Sequence, residues 1–127
     1  MIWNFDRDRG LIIVPAEVSG PRGAVAVRLV LDTGAAATVI SPYHLMFAGH
    51  HPEHSPERIE LTTASGVEFV PRIAVQALSA LGQRRQNLAV VSHTLPPSTA
   101  ADGVLGLDFF RDHRLIVDFR EGVLSLD

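Results

Sequence analysis

Apolar residues in this chain fall in short runs and not at helical spacing. Segments rich in Val, Ile, Leu and Thr recur between Gly and Pro signals, the pattern of an all-β protein. The runs predict strands at about 11–18, 24–31, 58–63, 67–78, 84–92, 115–119 and 123–126. Between them, Ser19-Gly20-Pro21-Arg22-Gly23, Ala64-Ser65-Gly66, Leu81-Gly82-Gln83 and Arg120-Glu121-Gly122 each place a glycine where a hairpin can use positive φ. Two short helices interrupt the strands. Ser41-Pro42 is an N-cap followed by proline at the first helical position, so a helix is expected over Tyr43 to Ala48, closed by Gly49. A second is expected from Leu107 to Asp112. The order of elements also repeats faintly: a hairpin at 11–31 runs into Asp32-Thr33-Gly34, and one at 67–92 leads through the loop 93–101 to Asp102-Gly103-Val104-Leu105-Gly106.

Composition narrows the function classes. A chain of 127 residues is one domain, residues 1–127, able to bury about two thirds of the surface its unfolded form exposes. With no cysteine there is neither a disulfide framework nor a thiolate zinc site. A net charge of −3 and scattered arginines give no footprint for nucleic acid. The first ten residues carry charges where a signal peptide needs its apolar stretch, and no run approaches the ~18 apolar residues of a membrane span. The expectation is a soluble, cytoplasmic protein without a membrane segment.

Candidate chemistry centres on residues 29–40, Leu-Val-Leu-Asp-Thr-Gly-Ala-Ala-Ala-Thr-Val-Ile. A carboxylate between Leu31 and Thr33 is costly to desolvate unless something shares its charge or proton. Its plainer role is a turn residue capping local amides. Asp-Thr-Gly alone is a string that any strand-to-turn junction can contain, so its context decides.

That context resembles the retropepsin-like aspartic proteases, single-domain relatives of pepsin of bacterial and retroviral type. Leu31-Asp32-Thr33-Gly34-Ala35, with Thr38 beyond, matches the family's catalytic loop; Leu61 to Val70 matches its flap hairpin; and Val104-Leu105-Gly106, followed by Leu107-Asp108-Phe109-Phe110, matches its paired-hydrophobic-then-glycine element. The resemblance implies a closed, barrel-like all-β fold with a flap and one or two short helices. It implies an aspartic endopeptidase, needing no cofactor and no metal, that hydrolyses extended segments of peptide or protein. Asp32, Thr33 and Gly34 are then catalytic, and Ala35, Ala64, Ser65, Gly66, Val67 and Leu105 bind substrate. Val30 is a further candidate pocket residue, and the apolar lining implies a preference for hydrophobic side chains.

Two carboxylates sharing one proton can activate water and protonate a carbonyl, and one chain supplies one Asp of that kind. The position of Asp102 is structural in the resembling family, so the second carboxylate is expected from Asp32 of another copy in a homodimer. In the family the threonine holds the two loops together, and the glycine permits their close approach. Retroviral members commonly have an acidic residue where Ala36 stands. A rival reading is a retropepsin-like dimer that binds or scaffolds peptides with little or no turnover. His44, His50, His51 and His54 form a histidine-rich stretch that is expected to be a solvated loop, because Gly49 and Pro52 break any helix that would align the rings. Trp3 and Phe5 are expected to be core or interface anchors.

Overall fold

The computed structural model describes residues 1–63 and 65–127. In chain order the elements are β1 (Ile2–Asn4), β2 (Ile13–Gly20), β3 (Gly23–Leu31), β4 (Val39–Ile40), α1 (Pro42–Phe47), a 3₁₀ turn (Pro52–His54), β5 (Arg58–Thr63), β6 (Gly66–Ala74), β7 (Ala77–Ala80), β8 (Gln83–Gln86), β9 (Ala89–Ser92), a second 3₁₀ turn (Pro97–Thr99), β10 (Gly103–Leu105), α2 (Leu107–Phe110), β11 (Leu115–Asp118) and β12 (Val123–Leu126). The large sheet has the order β5-β6-β9-β4-β10-β3-β2-β7-β8 and curls into half a barrel. A small sheet, β1-β12-β11, stands apart from that ladder.

The mostly-β reading holds, and the differences are local. The expected strand 67–78 is two strands, because β6 pairs with β9 whereas β7 pairs with β2 and β8. Its partner 84–92 breaks at the same level, where Asn87 takes φ 54°, a left-handed conformation that asparagine tolerates better than most residues. The amide of Val75 donates to Leu88 O and that of Asn87 to Gln76 O, so the long hairpin bends without losing its bonds. Strands β1, β4 and β10 were not expected: two or three residues are too few to display alternation. Helix α1 starts as expected, with the Ser41 hydroxyl accepting from the Tyr43 amide at 3.3 Å. Helix α2 stops short of Asp112, since Arg111 is already extended.

Strand β2 alternates cleanly, with Val14, Ala16 and Val18 buried and Pro15 and Glu17 outside. These inward residues join Leu29, Ile40, Leu78, Val90, Leu105 and Phe109 in the core. The small sheet turns Leu124 and Leu126 inward, and Trp3, Phe5, Leu115 and Val117 pack partly buried against the core, which makes Trp3 and Phe5 core anchors. Arg114 and Asp127 close the open end of the β11–β12 hairpin with a two-pronged ion pair at 2.7 and 3.2 Å. Hydrogen bonding to Arg114 holds the Asp127 carboxyl below the usual carboxylate range. Both side chains are exposed, so the pair adds little stability. Among the described residues, no helix is long and apolar enough to cross a membrane.

One pairing positions the site. β10 lies parallel to β3, matching Gly103, Val104 and Leu105 with Leu29, Val30 and Leu31, and on its other side runs antiparallel to β4. The three backbones fit because Gly103 has no side chain: a Cβ there would overlap the carbonyl oxygen of Val39 and crowd Leu29. Gly103→Ala is therefore expected to destabilise the protein by about 3 kcal/mol or more. Gly10→Ala, where a Cβ meets nothing within 4 Å, should stay within about 0.5 kcal/mol of wild type. Urea unfolding of both variants checks the contrast.

Candidate active site

Strand β3 ends at Leu31, and the chain leaves the sheet through residues 32–38 before re-entering it as β4. The Asp32 amide donates to Leu105 O at 3.0 Å, which extends the β3–β10 ladder by one bond and ties the turn to the sheet. The turn then closes on itself. Gly34 N–H donates to Asp32 Oδ1 at 2.9 Å, and Ala35 N–H donates to Asp32 O at 3.2 Å. The carboxylate thus performs the local capping that its plainer reading requires, and the same bond sets its direction. Asp32 is half-buried, while Thr33 and Gly34 are exposed. The desolvation cost foreseen for a fully buried acid is correspondingly reduced.

Behind the turn lies a support centred on a fully buried threonine. Thr38 is 0 % exposed. Its hydroxyl donates to Asp108 Oδ1 at 2.7 Å and accepts from the Gly106 amide at 3.1 Å. Its own amide donates to Asp108 Oδ2 at 2.9 Å, and its carbonyl accepts from Val91 at 2.9 Å. The Leu107 amide donates to Ala35 O at 2.8 Å. Gly106 lets the segments meet, since a Cβ there would stand 2.8 Å from the Ala37 carbonyl and 2.9 Å from Ala35 O. Sequence reasoning gave Asp108 no role. The available signal was an acid in the first turn of a helix directly after that glycine.

Asp102 sits at the other end of β10. Its Oδ2 accepts from the Arg28 amide at 2.8 Å, its carbonyl accepts from Ser41 and its amide donates to Arg28 O, both at 2.8 Å. Arg28 precedes Asp32 by four residues along β3, roughly 13 Å at the strand rise. Asp102 is therefore a clamp on the sheet, out of reach of a proton held at Asp32.

The remaining predicted site residues divide into two places. Ala35 is half-buried in the Asp32 turn. Ser65, Gly66 and Val67 belong to the β5–β6 hairpin, whose register runs from Thr63↔Gly66 to Arg58↔Pro71. Residues 66–69 are exposed and Val70 is buried, so the distal half of this hairpin stands off the core. Val67 and Phe69 are 54 % and 69 % exposed there. Ala64 lies outside the described residues. Leu105 is 0 % exposed and faces the core beneath the turn, and Val30 is half-buried on β3, opposite Val104.

A family model described as gag-polyprotein putative aspartyl protease matches residues 18–112. Among solved structures, a retropepsin-like aspartic protease from Rickettsia conorii superposes with a TM-score of 0.69 at 17 % identity, over 99 % of this chain and 88 % of that one. The retroviral protease-like domain of Ddi1 from Leishmania major superposes with a TM-score of 0.58 at 17 % identity, over 92 % of this chain and 88 % of that one. No curated protein matches the chain.

The buried support predicts a stability difference between two conservative changes. Thr38→Val preserves volume but leaves one Asp108 oxygen and the Gly106 amide without their shared partner, and should cost about 2–4 kcal/mol. Thr38→Ser keeps the hydroxyl and should cost about 1 kcal/mol. Denaturant unfolding of the pair measures both.

Proposed function

Since the chain belongs to the family of gag-polyprotein putative aspartyl proteases, we propose that it is a homodimeric aspartic endopeptidase whose active site is built from Asp32 of two copies. The observation that carries this reading is the contrast at residues 32–38. The Asp-Thr-Gly turn, with Asp32 half-buried and Thr33 and Gly34 exposed, is backed by Thr38, Leu105 and Gly106, all buried. A carboxylate fixed in direction yet presented at the surface suits a site completed by another molecule. A two-fold axis between the two turns brings like carboxylates together.

Two carboxylates in contact retain one proton between them. The ionised one takes a proton from water as the water oxygen attacks the scissile carbonyl carbon. The protonated one delivers its proton to the carbonyl oxygen, giving a neutral tetrahedral diol. Collapse then moves a proton to the amide nitrogen, the C–N bond breaks, and the pair is left again with one proton. Thr33 and Gly34, exposed beside Asp32, are positioned to meet their counterparts across the axis.

Substrate binding falls to the β5–β6 hairpin acting as a flap. Strand β5 is the edge of the large sheet, and an extended peptide laid under the hairpin receives main-chain hydrogen bonds as an added strand would. Ala35, Ser65, Gly66 and Val67 form the contact surface, and the exposed Val67 and Phe69 favour apolar side chains beside the scissile bond. The core position of Leu105 makes it a support for the turn in this arrangement.

Asp32→Asn should abolish peptide cleavage while circular dichroism and sedimentation remain those of wild type; cleavage at the wild-type rate would overturn the proposal. The wild-type rate should be bell-shaped in pH. The pair gains a second proton on the acid side and loses its shared proton on the alkaline side, and each change removes one of the two roles. A rate that is flat from about pH 4 to 9 would argue against a shared proton.

A further inference from the structure

The histidine-rich stretch is more ordered than a solvated loop. Pro52 starts one 3₁₀ turn, and its ring is buried beneath it. In a 3₁₀ turn residues i and i+3 stand one above the other, and the His54 amide donates to His51 O at 3.0 Å. The His51 and His54 rings consequently stack, with centroids 5.7 Å apart and planes at 29°. Glu53 reaches both: its Oε1 is 3.7 Å from His51 Nδ1 and 3.9 Å from His54 Nε2. One ligand atom from each of the three residues lies within 4.8 Å of the others.

We propose that His51, Glu53 and His54 form a binding site for a divalent transition-metal ion of the Zn²⁺ class. Two imidazoles and one carboxylate suit Zn²⁺ and its neighbours and are poorly matched to Mg²⁺ or Ca²⁺, which take oxygen ligands. A tetrahedral Zn²⁺ at about 2.0–2.1 Å from its ligands holds them about 3.4 Å apart. All three side chains are exposed, so they can rotate to close from 3.7 and 3.9 Å at Glu53, and from within 4.8 Å overall, to that spacing, with the stacked rings turning to point their nitrogens at one ion. Water or an external ligand fills the remaining position. His51 and His54 also line a surface cavity of about 520 Å³ shared with His50, Glu57 and Arg72. Just beyond the turn, the Ser55 hydroxyl donates to Arg72 O at 2.6 Å, so the site lies at the root of the β5–β6 hairpin. A bound ion braces that root by cross-linking the turn.

Isothermal titration of the untagged, chelator-treated full chain with zinc chloride tests the site. One saturable ion per chain is expected, with a zinc-dependent rise in the thermal midpoint that EDTA reverses. His51→Ala and His54→Ala should each weaken binding at least tenfold, by analogy with the 10–100-fold cost of losing even an outer-shell partner, whereas His113→Ala should leave it unchanged. Magnesium chloride should give no comparable isotherm. Absence of saturable zinc binding, or an affinity unchanged in a folded His51→Ala, His54→Ala double variant, would overturn the assignment.

Discussion

The Thr38 hydroxyl is the interaction on which this structure turns. It lies in the core, donates to Asp108 and accepts from Gly106, and so joins the turn after β3 to the start of α2, about 70 residues later in the chain. A buried hydroxyl with both roles satisfied contributes modestly by itself but is expensive to disrupt, because the Gly106 amide is left buried with no water to replace it. Without that joint, the Asp32 turn would hang from β3 by its own local bonds. With it, a half-buried carboxylate at the protein surface is held against the core.

Glycine performs the complementary task. Gly103 and Gly106 bracket β10, and each sits where neighbouring backbone occupies the space of a side chain. Three strands and a helix start can therefore converge within a few ångströms behind Asp32. The closeness is steric in origin, and the hydrogen bonds are its result. The exposed hairpin opposes this rigidity: its distal residues leave the core just before Val70. The turn is firmly supported and the hairpin loosely attached, so the two differ in how far they can move.

Much of this was legible in the chain. Asp32, Thr33 and Gly34 stand out in the sequence because their context is ordered over a long stretch, and the hairpin turns because Gly23, Gly66, Gly82 and Gly122 announce positive φ, which the structure bears out for the glycines. What escaped was either very short or non-local. Strands β4 and β10 owe their existence to neighbours distant in sequence, so two or three residues carried no signal of their own. Asp108 looked like an ordinary early helix acid until Thr38 was seen against it. The bend at Val75 and Asn87 followed from a change of partners, which a run of β-formers does not encode. The His51–His54 turn was discounted for lacking helix, although one 3₁₀ turn begun by Pro52 was enough to stack the rings.

The parallel pairing of β3 with β10 also has a temporal side. Residues 29–31 have β2 on one side from the local hairpin but wait for residues 103–105 on the other, and a contact across so long a loop forms late in folding because closure costs entropy before it returns stability. During synthesis, the turn bearing Asp32 emerges well before the segment that braces it. A growing chain therefore holds the Asp32 turn by its own local bonds while about 70 further residues are added, and the buried brace forms only once the region around Gly106 has left the ribosome and docked.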